Sequence, residues 1–458
     1  MNSLSGRHRH TRTGLETVTH LRERHVTMIA LGGVIGAGLF VGTGAGIALA
    51  GPAVLISFGL AGILALLVMR MLGEMAAEYP SGGAFSVHAE KALGPWAGFT
   101  VGWAYWGTVG VVLAVEATGA AKIAAGWVPA VPQWAWVLIF MSALTAVNLT
   151  DVRNFGEFEF WFAGLKIAAI VLFLALGAAA IAGLLPNVDS PGFSNLTDFM
   201  PNGWGGVVAG FMAVVFAFGG LEVVTIAAAD AEDPKHAIGK AVRTSMTRLL
   251  VFYLGSMAVV VTLLPWNDSE VGASPYVAVL NRLGIPAAGQ IMNVVIFVAL
   301  LSAINATLYG AARMLCSLAE RGEAPKALLT RKNGVPRNAV LASVAFGFFS
   351  VLLNYLWPDT VFLLLLNAVG SALLVVWAFI AISQIRLRRT IEHPTVPMWG
   401  YPYLSWLALT AIAAIIVLML SDEQARGQIL STGVLVAVIA ALGLSRSALR
   451  RRSLPDRT

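Results

Sequence analysis

Gly32-Gly33-Val34-Ile35-Gly36-Ala37-Gly38-Leu39-Phe40-Val41-Gly42-Thr43-Gly44-Ala45-Gly46 lies inside the first long apolar run of the chain. The pairs Gly32/Gly36, Gly38/Gly42 and Gly42/Gly46 have the G-x-x-x-G spacing that lets membrane helices pack closely. Packing does not explain the crowding at Gly36 and Gly38, in the middle of the run. A second such stretch, Phe216-Ala217-Phe218-Gly219-Gly220-Leu221-Glu222, follows Gly203, Gly205, Gly206 and Gly210. Paired glycine-interrupted spans at corresponding positions of two repeats point to a transporter binding site.

The surroundings make both stretches membrane spans. Charged residues are 12% of the chain and hydrophobic ones 58%, with a mean hydropathy of +0.78. A soluble domain carries about a quarter charged residues. Apolar runs recur at roughly the 20 residues that a spanning helix needs. A transmembrane barrel would alternate apolar and polar residues; the run from Val361 to Ile382 does not. The pattern predicts an all-α polytopic membrane protein with twelve transmembrane helices. They fall near 26–48, 52–72, 96–121, 132–150, 157–183, 204–228, 244–264, 286–314, 338–356, 359–383, 402–420 and 427–446,.

Charge then orients the spans. Of 30 lysines and arginines, 26 fall in the two tails and alternate connections on one side. The other side holds Lys122, Arg282 and Arg426, and Lys166 falls inside span 5. The positive-inside rule puts the basic side, with both termini, in the cytoplasm. The same asymmetry accounts for a pI of 9.6 without a nucleic-acid partner; the basic clusters read as anchors to lipid headgroups. One cysteine, Cys316, excludes an intrachain disulfide, and no Cys/His metal set is present,. Residues 1–25 are polar and basic, so no cleavable signal peptide is expected. Asn148, Asn195 and Asn305 match the glycosylation pattern by chance. No nucleophile–base set or Walker motif points to an enzyme.

The two broken spans are the first and sixth, so the natural repeats are spans 1–5 and 6–10, with spans 11 and 12 outside them. Five is odd, so the repeats are inverted. Unwound backbone within a bilayer is tolerated where it is buried in protein or lines a cavity. Amides at the start of a second half-helix suit a carboxylate, and carbonyls ending the first suit an ammonium. A substrate carrying both groups is an amino acid.

Motifs along the chain resemble those of the amino acid–polyamine–organocation superfamily, and within it the bacterial amino acid transporter family. They are Ala30–Phe40, Gly73–Pro80 with Gly82–Phe85, Phe155–Lys166, Phe216–Ala229, and Asn305 with Leu308-Tyr309 and Ser317–Pro325. Phe199–Gly203, Val115-Glu116-Ala117 and Ser383–Arg388 are similar to the γ-aminobutyrate permease branch. Relatives for aromatic, asparagine, proline and other neutral amino acids share much of this pattern.

The resemblance implies a LeuT-like core of five plus five spans and proton-coupled uptake by alternating access in a bacterial cytoplasmic membrane. No cofactor or metal is implied, the proton being the coupling ion, and no obligate protein partner. By the family pattern, the substrate carboxylate lies against Gly36, Ala37 and Gly38, beside Val34. The amine lies near the carbonyls of Phe216, Ala217 and Phe218, close to Gly220, with Phe216 as a candidate gate. Ala37 and Ala217 stand where some relatives have serine, which makes the pocket less polar. Exchange without net proton flux stays open on the same fold, as does a channel or sensor.

Ionisable residues at a span's centre cost about 2.5–3.5 kcal/mol on insertion scales, so each is a functional candidate. Lys166 resembles the lysine that stands in for sodium in proton-coupled relatives. Charged, it would hold span 5 against span 1; deprotonated, it would release it. Glu222 reads as a proton site, a neighbour of the amine or a structural bridge, and Glu116 as a pocket residue or a cation's counter-charge. Glu157 and Glu159 read as interfacial, and Ser302 and Asn305 as packing hydrogen bonds. Arg313, Glu320, Arg321 and Glu323 suggest a cytoplasmic charge network. One of Trp103, Tyr105 and Trp106 is expected near the substrate. The layout is then a tail over 1–25, repeats over 26–183 and 204–383 around a loop at 184–203, spans 11 and 12 with their preceding loop over 384–446, and a basic tail over 447–458.

Overall fold

A computed structural model describes residues 28, 34–149, 152–186, 188, 190–229, 231, 233–332 and 335–453. Gly32, Gly33 and the tail at 1–25 lie outside the described residues, as do the last five positions. The apolar runs are helical. After a π-helical turn at Gly38–Gly42 come α1 (Thr43–Ala50), α2 (Val54–Glu78), α3 (Ala84–Leu93), α4 (Pro95–Trp127), α5 (Gln133–Asn148) and α6 (Val152–Ile181). Then follow α7 (Gly203–Val214), α8 (Val223–Ala228), α9 (Pro234–Leu263), the short α10 (Ser269–Ala273) and α11 (Pro275–Arg282), and α12 (Ala288–Glu320). A two-residue hairpin of β1 (Arg331–Lys332) and β2 (Val335–Pro336) leads to α13 (Arg337–Leu356), α14 (Val361–Leu387), α15 (Tyr403–Ser421) and α16 (Glu423–Ser453).

Ten helical stretches among the described residues are long and apolar enough to cross a membrane. Two features separate that number from the twelve expected spans. The chain turns from α1 into α2 through a 3-10 turn at Gly51–Ala53, where Gly51 takes a φ of 62°, so spans 1 and 2 form one helical stretch. Span 4 is α5, whose 16 residues extend only ~24 Å at 1.5 Å per residue. Several helices also outrun their apolar cores: α12 continues to Glu320, α14 to Leu387 and α16 to Ser453. Hydropathy marks only the hydrocarbon-embedded part, whereas backbone hydrogen bonding continues past it into the basic segments.

The core lies among α1, α2, α4, α7, α9, α12 and α14, which carry most of the fully buried side chains. The apolar stretches of α15 and α16 are only 28% and 11% buried, which puts spans 11 and 12 at the periphery. On α16, Val434 and Val438 are exposed, the condition of a helix whose neighbour is lipid. Exposed tryptophans at helix ends, among them Trp127, Trp357 and Trp406, fit the interfacial belt,.

Candidate functional site

Both glycine stretches are broken helices. Residues 34–36 are non-helical before the π-helical turn. On the other side α7 tightens into a 3-10 turn at Val215–Phe218, opens at Gly219 and Gly220, and resumes as α8. Gly220 has a φ of 90°, which side-chain-bearing residues rarely adopt,. The breaks touch: a Cβ placed on Gly38 would lie 2.6 Å from Ala217 Cα.

Backbone groups freed inside a membrane must be paired, and the partners are specific. Tyr253 Oη of α9 lies 3.1 Å from the Val34 carbonyl and 2.9 Å from that of Ala217, so one phenol proton bridges both breaks. Lys166 Nζ of α6 donates to the Ile35 carbonyl at 3.1 Å. The Gly36 carbonyl accepts from the amides of Leu39 and Phe40. The Ala37 amide donates to both carboxylate oxygens of Glu116 on α4, each at 3.1 Å. Gly36 makes room for that carboxylate, since a Cβ there would lie 2.5 Å from Glu116 Oε1. At the second break the Gly220 amide donates to Glu222 Oε1 at 3.4 Å, while Glu222 Oε2 is buried without a hydrogen-bond partner.

A cavity of about 40 Å3 lies where the breaks meet. Val34, Gly38, Phe216, Ala217, Gly220, Glu116 and Glu222 line it, all of them expected site residues. Gly219, Val223 of α8, Tyr105, Thr108, Val109 and Val112 of α4, Thr307 of α12, and Val369 and Leu373 of α14 complete the wall. Gly36, Ala37, Phe218 and Lys166 are not in that lining. Gly36 and Ala37 lie outside the lining, against Glu116, and Phe218 packs its ring against Phe58 and Tyr253. Trp103 and Trp106 turn away, donating to the Glu323 carbonyl and to Ser343.

Glu159 corrects the sequence reading. It is not interfacial: its side chain is fully buried, accepts a 2.7 Å hydrogen bond from Ser302 and lies 4.0 Å from Lys166 Nζ. The same helix turn exposes Trp161 at 72%, so α6 has one lipid face and one polar face that average hydropathy blurs. Glu157's side chain lies outside the described residues. The charge network divides in two: Arg321 pairs with Glu90 at 2.6 Å and Glu323 at 3.3 Å, and Glu320 with Arg331 at 3.7 Å. Arg313 sits over the Tyr309 ring.

Two touching helix breaks around a small cavity, inside a bundle of apolar helices, are the architecture of a transporter. Residues 25–455 match the family model described as amino acid permease. The chain belongs to that family. It is 44% identical over 446 residues to the γ-aminobutyric acid permease of Bacillus subtilis, covering 95% of this chain and 94% of the relative. The γ-aminobutyric acid permease of Escherichia coli K12 is also 44% identical, over 91% of both chains. An aromatic amino acid transport protein of Corynebacterium glutamicum is 46% identical over 93% of this chain and 94% of its own. The protein is thus a multi-pass membrane permease.

Tyr253 is a site residue that sequence reading misses in this permease. A phenol in an apolar span needs a partner, but nothing in its spacing names the two carbonyls it joins. Tyr253→Phe should destabilise the protein by about 1–3 kcal/mol, because buried carbonyls lose their donor. The midpoint of thermal unfolding in detergent measures this; an unchanged midpoint would show that the bridge contributes nothing.

Proposed function

We propose that this permease is a proton-coupled symporter of γ-aminobutyrate or a related small amino acid. It would work by alternating access across the bacterial cytoplasmic membrane, through twelve spans with both termini in the cytoplasm. The observation that carries this reading is the pairing of Ala37 N–H with Glu116 at a cavity whose lining also includes Glu222, which has one unpartnered carboxylate oxygen. An ammonium suits Glu222. A substrate carboxylate suits the Ala37 amide, but Glu116 occupies that amide. A proton on Glu116 removes the charge that holds the amide and frees it for the substrate. Proton and amino acid then bind together, which is the requirement for symport. The slim cavity suits an aliphatic substrate, in keeping with the named activity of the Bacillus subtilis relative.

One observation favours the aromatic alternative. A groove of about 690 Å3, lined in part by Trp103, Trp106 and Phe346, shares Thr108 and Val369 with the cavity. An aromatic side chain would have space there if that wall moved. Uptake of labelled γ-aminobutyrate into proteoliposomes, competed by unlabelled common amino acids, separates the two. Self-competition with weak effects of phenylalanine and tryptophan is expected; stronger competition by the aromatics would reverse the assignment. Uptake that persists at full rate after the proton gradient is collapsed would mean an exchanger.

A further inference from the structure

A second polar cluster lies apart from the cavity and contains a buried carboxylate that the scheme above leaves unused. Glu159 and Lys166 are seven residues apart on α6, two helical turns, which places them on one face roughly 10 Å apart along the axis. The long lysine side chain bridges that gap only partly: Nζ donates to the Ile35 carbonyl at 3.1 Å and stays 4.0 Å from Glu159 Oε1. Both side chains are fully buried. Glu159 Oε1 accepts from Ser302, and Asn305 also hydrogen-bonds this carboxylate. Asn148, the last residue of α5 and half-buried, donates to Asn305 Oδ1 at 2.7 Å. Glu159 Oε2 is buried with no hydrogen-bond partner. The polar line therefore runs from the first helix break, through Lys166 and Glu159, to the membrane side that the basic loops assign to the cytoplasm.

We infer that Glu159 is the positioning partner of Lys166 and the acceptor of its proton during release to the cytoplasm. This rests on the proton-coupled reading. With Lys166 charged, the carboxylate holds the ammonium beneath the Ile35 carbonyl and so pins the break. In the release step a small approach brings Nζ to the free Oε2; an N–H bond breaks, an O–H bond forms, and a neutral amine and acid replace the ion pair. The neutral amine grips Ile35 less tightly, and the broken helix is free to move. Glu159 then passes its proton to water at the cytoplasmic side and regains its charge. Other groups facing the pair are Glu116 on α4, whose charge acts on Lys166, and Tyr253 on α9, which holds the adjoining Val34 carbonyl. The α12 helix contributes Ser302 and Asn305, and α5 contributes Asn148.

The test compares wild type, Glu159→Gln and Glu159→Asp in proteoliposomes, each checked as monodisperse by size exclusion. Labelled γ-aminobutyrate is followed in two modes, accumulation driven by a pH gradient and counterflow without one. For Glu159→Gln, accumulation should fall by about tenfold or more while counterflow stays within about threefold, because only the protonation-linked step is altered. Its counterflow should keep the pH dependence that Glu116 sets, and Glu159→Asp should recover part of the accumulation. A Glu159→Gln variant that accumulates normally, or that loses both modes together, overturns the proposal while the coupling reading stands. A wild type indifferent to the pH gradient overturns both. Wild-type failure in both modes, with another amino acid exchanged readily, overturns only the substrate assignment, and the comparison is then made with that amino acid.

Discussion

Gly38→Val is expected to abolish transport while leaving a folded protein. Gly38 lines the cavity, and a first side-chain carbon there would stand 2.6 Å from Ala217 Cα, a backbone atom with no rotamer to escape into. The two breaks must separate to admit it. Overpacking of this kind costs about 1–3 kcal/mol, small against the stability of a large bundle but large against the geometry that joins the breaks. Tyr253, whose Oη lies 3.1 Å from Val34 O and 2.9 Å from Ala217 O, would lose one of them. Binding of labelled substrate to purified protein should fall below detection. Gly46→Ala is the control. Its added carbon would lie 2.5 Å from Val214 Cγ1, equally crowded but away from the cavity lining. It should lower the thermal midpoint and leave affinity unchanged. If Gly38→Val binds substrate as well as wild type, the glycines of the first span serve packing alone.

That contrast shows what the sequence can and cannot disclose. Long apolar runs without alternation reveal the helices, because a spanning backbone outside a closed barrel must pair its hydrogen bonds within a helix. Glycine density at 36, 38, 219 and 220 locates the breaks because unwound backbone needs residues without bulk. The partners are another matter. That Ala37 N–H meets Glu116, or that Tyr253 joins two carbonyls, depends on how α4 and α9 rotate against the breaks, which no local pattern records. Glu159 shows the reverse error. Its position near a span end reads as interfacial by hydropathy, yet helix periodicity carries it to the buried face, seven residues from Lys166. A charge at heptad spacing from an intramembrane lysine is a signal, and averaging over the span hides it.

Replacing Lys166 by alanine should uncouple the protein. The ammonium is the donor to the Ile35 carbonyl and the counter-charge for a buried Glu159 at 4.0 Å. Without it, substrate still enters the cavity, whose lining does not include Lys166, but the step that releases the co-bound proton to the cytoplasm is lost. The ratio of internal to external substrate should fall to about one, the value for a ligand that sees two states without a driving force. Counterflow should persist. The single variant also leaves Glu159 buried and unpaired, an effect of about 3–5 kcal/mol, so loss of function alone would be ambiguous. Lys166→Ala combined with Glu159→Gln removes both charges and should recover the thermal midpoint. If the double variant is stable, exchanges substrate and does not accumulate it, coupling resides in the charge pair. If it accumulates substrate as wild type does, coupling belongs to Glu116 or Glu222 at the cavity, and the pair beneath the first break only holds the helices together.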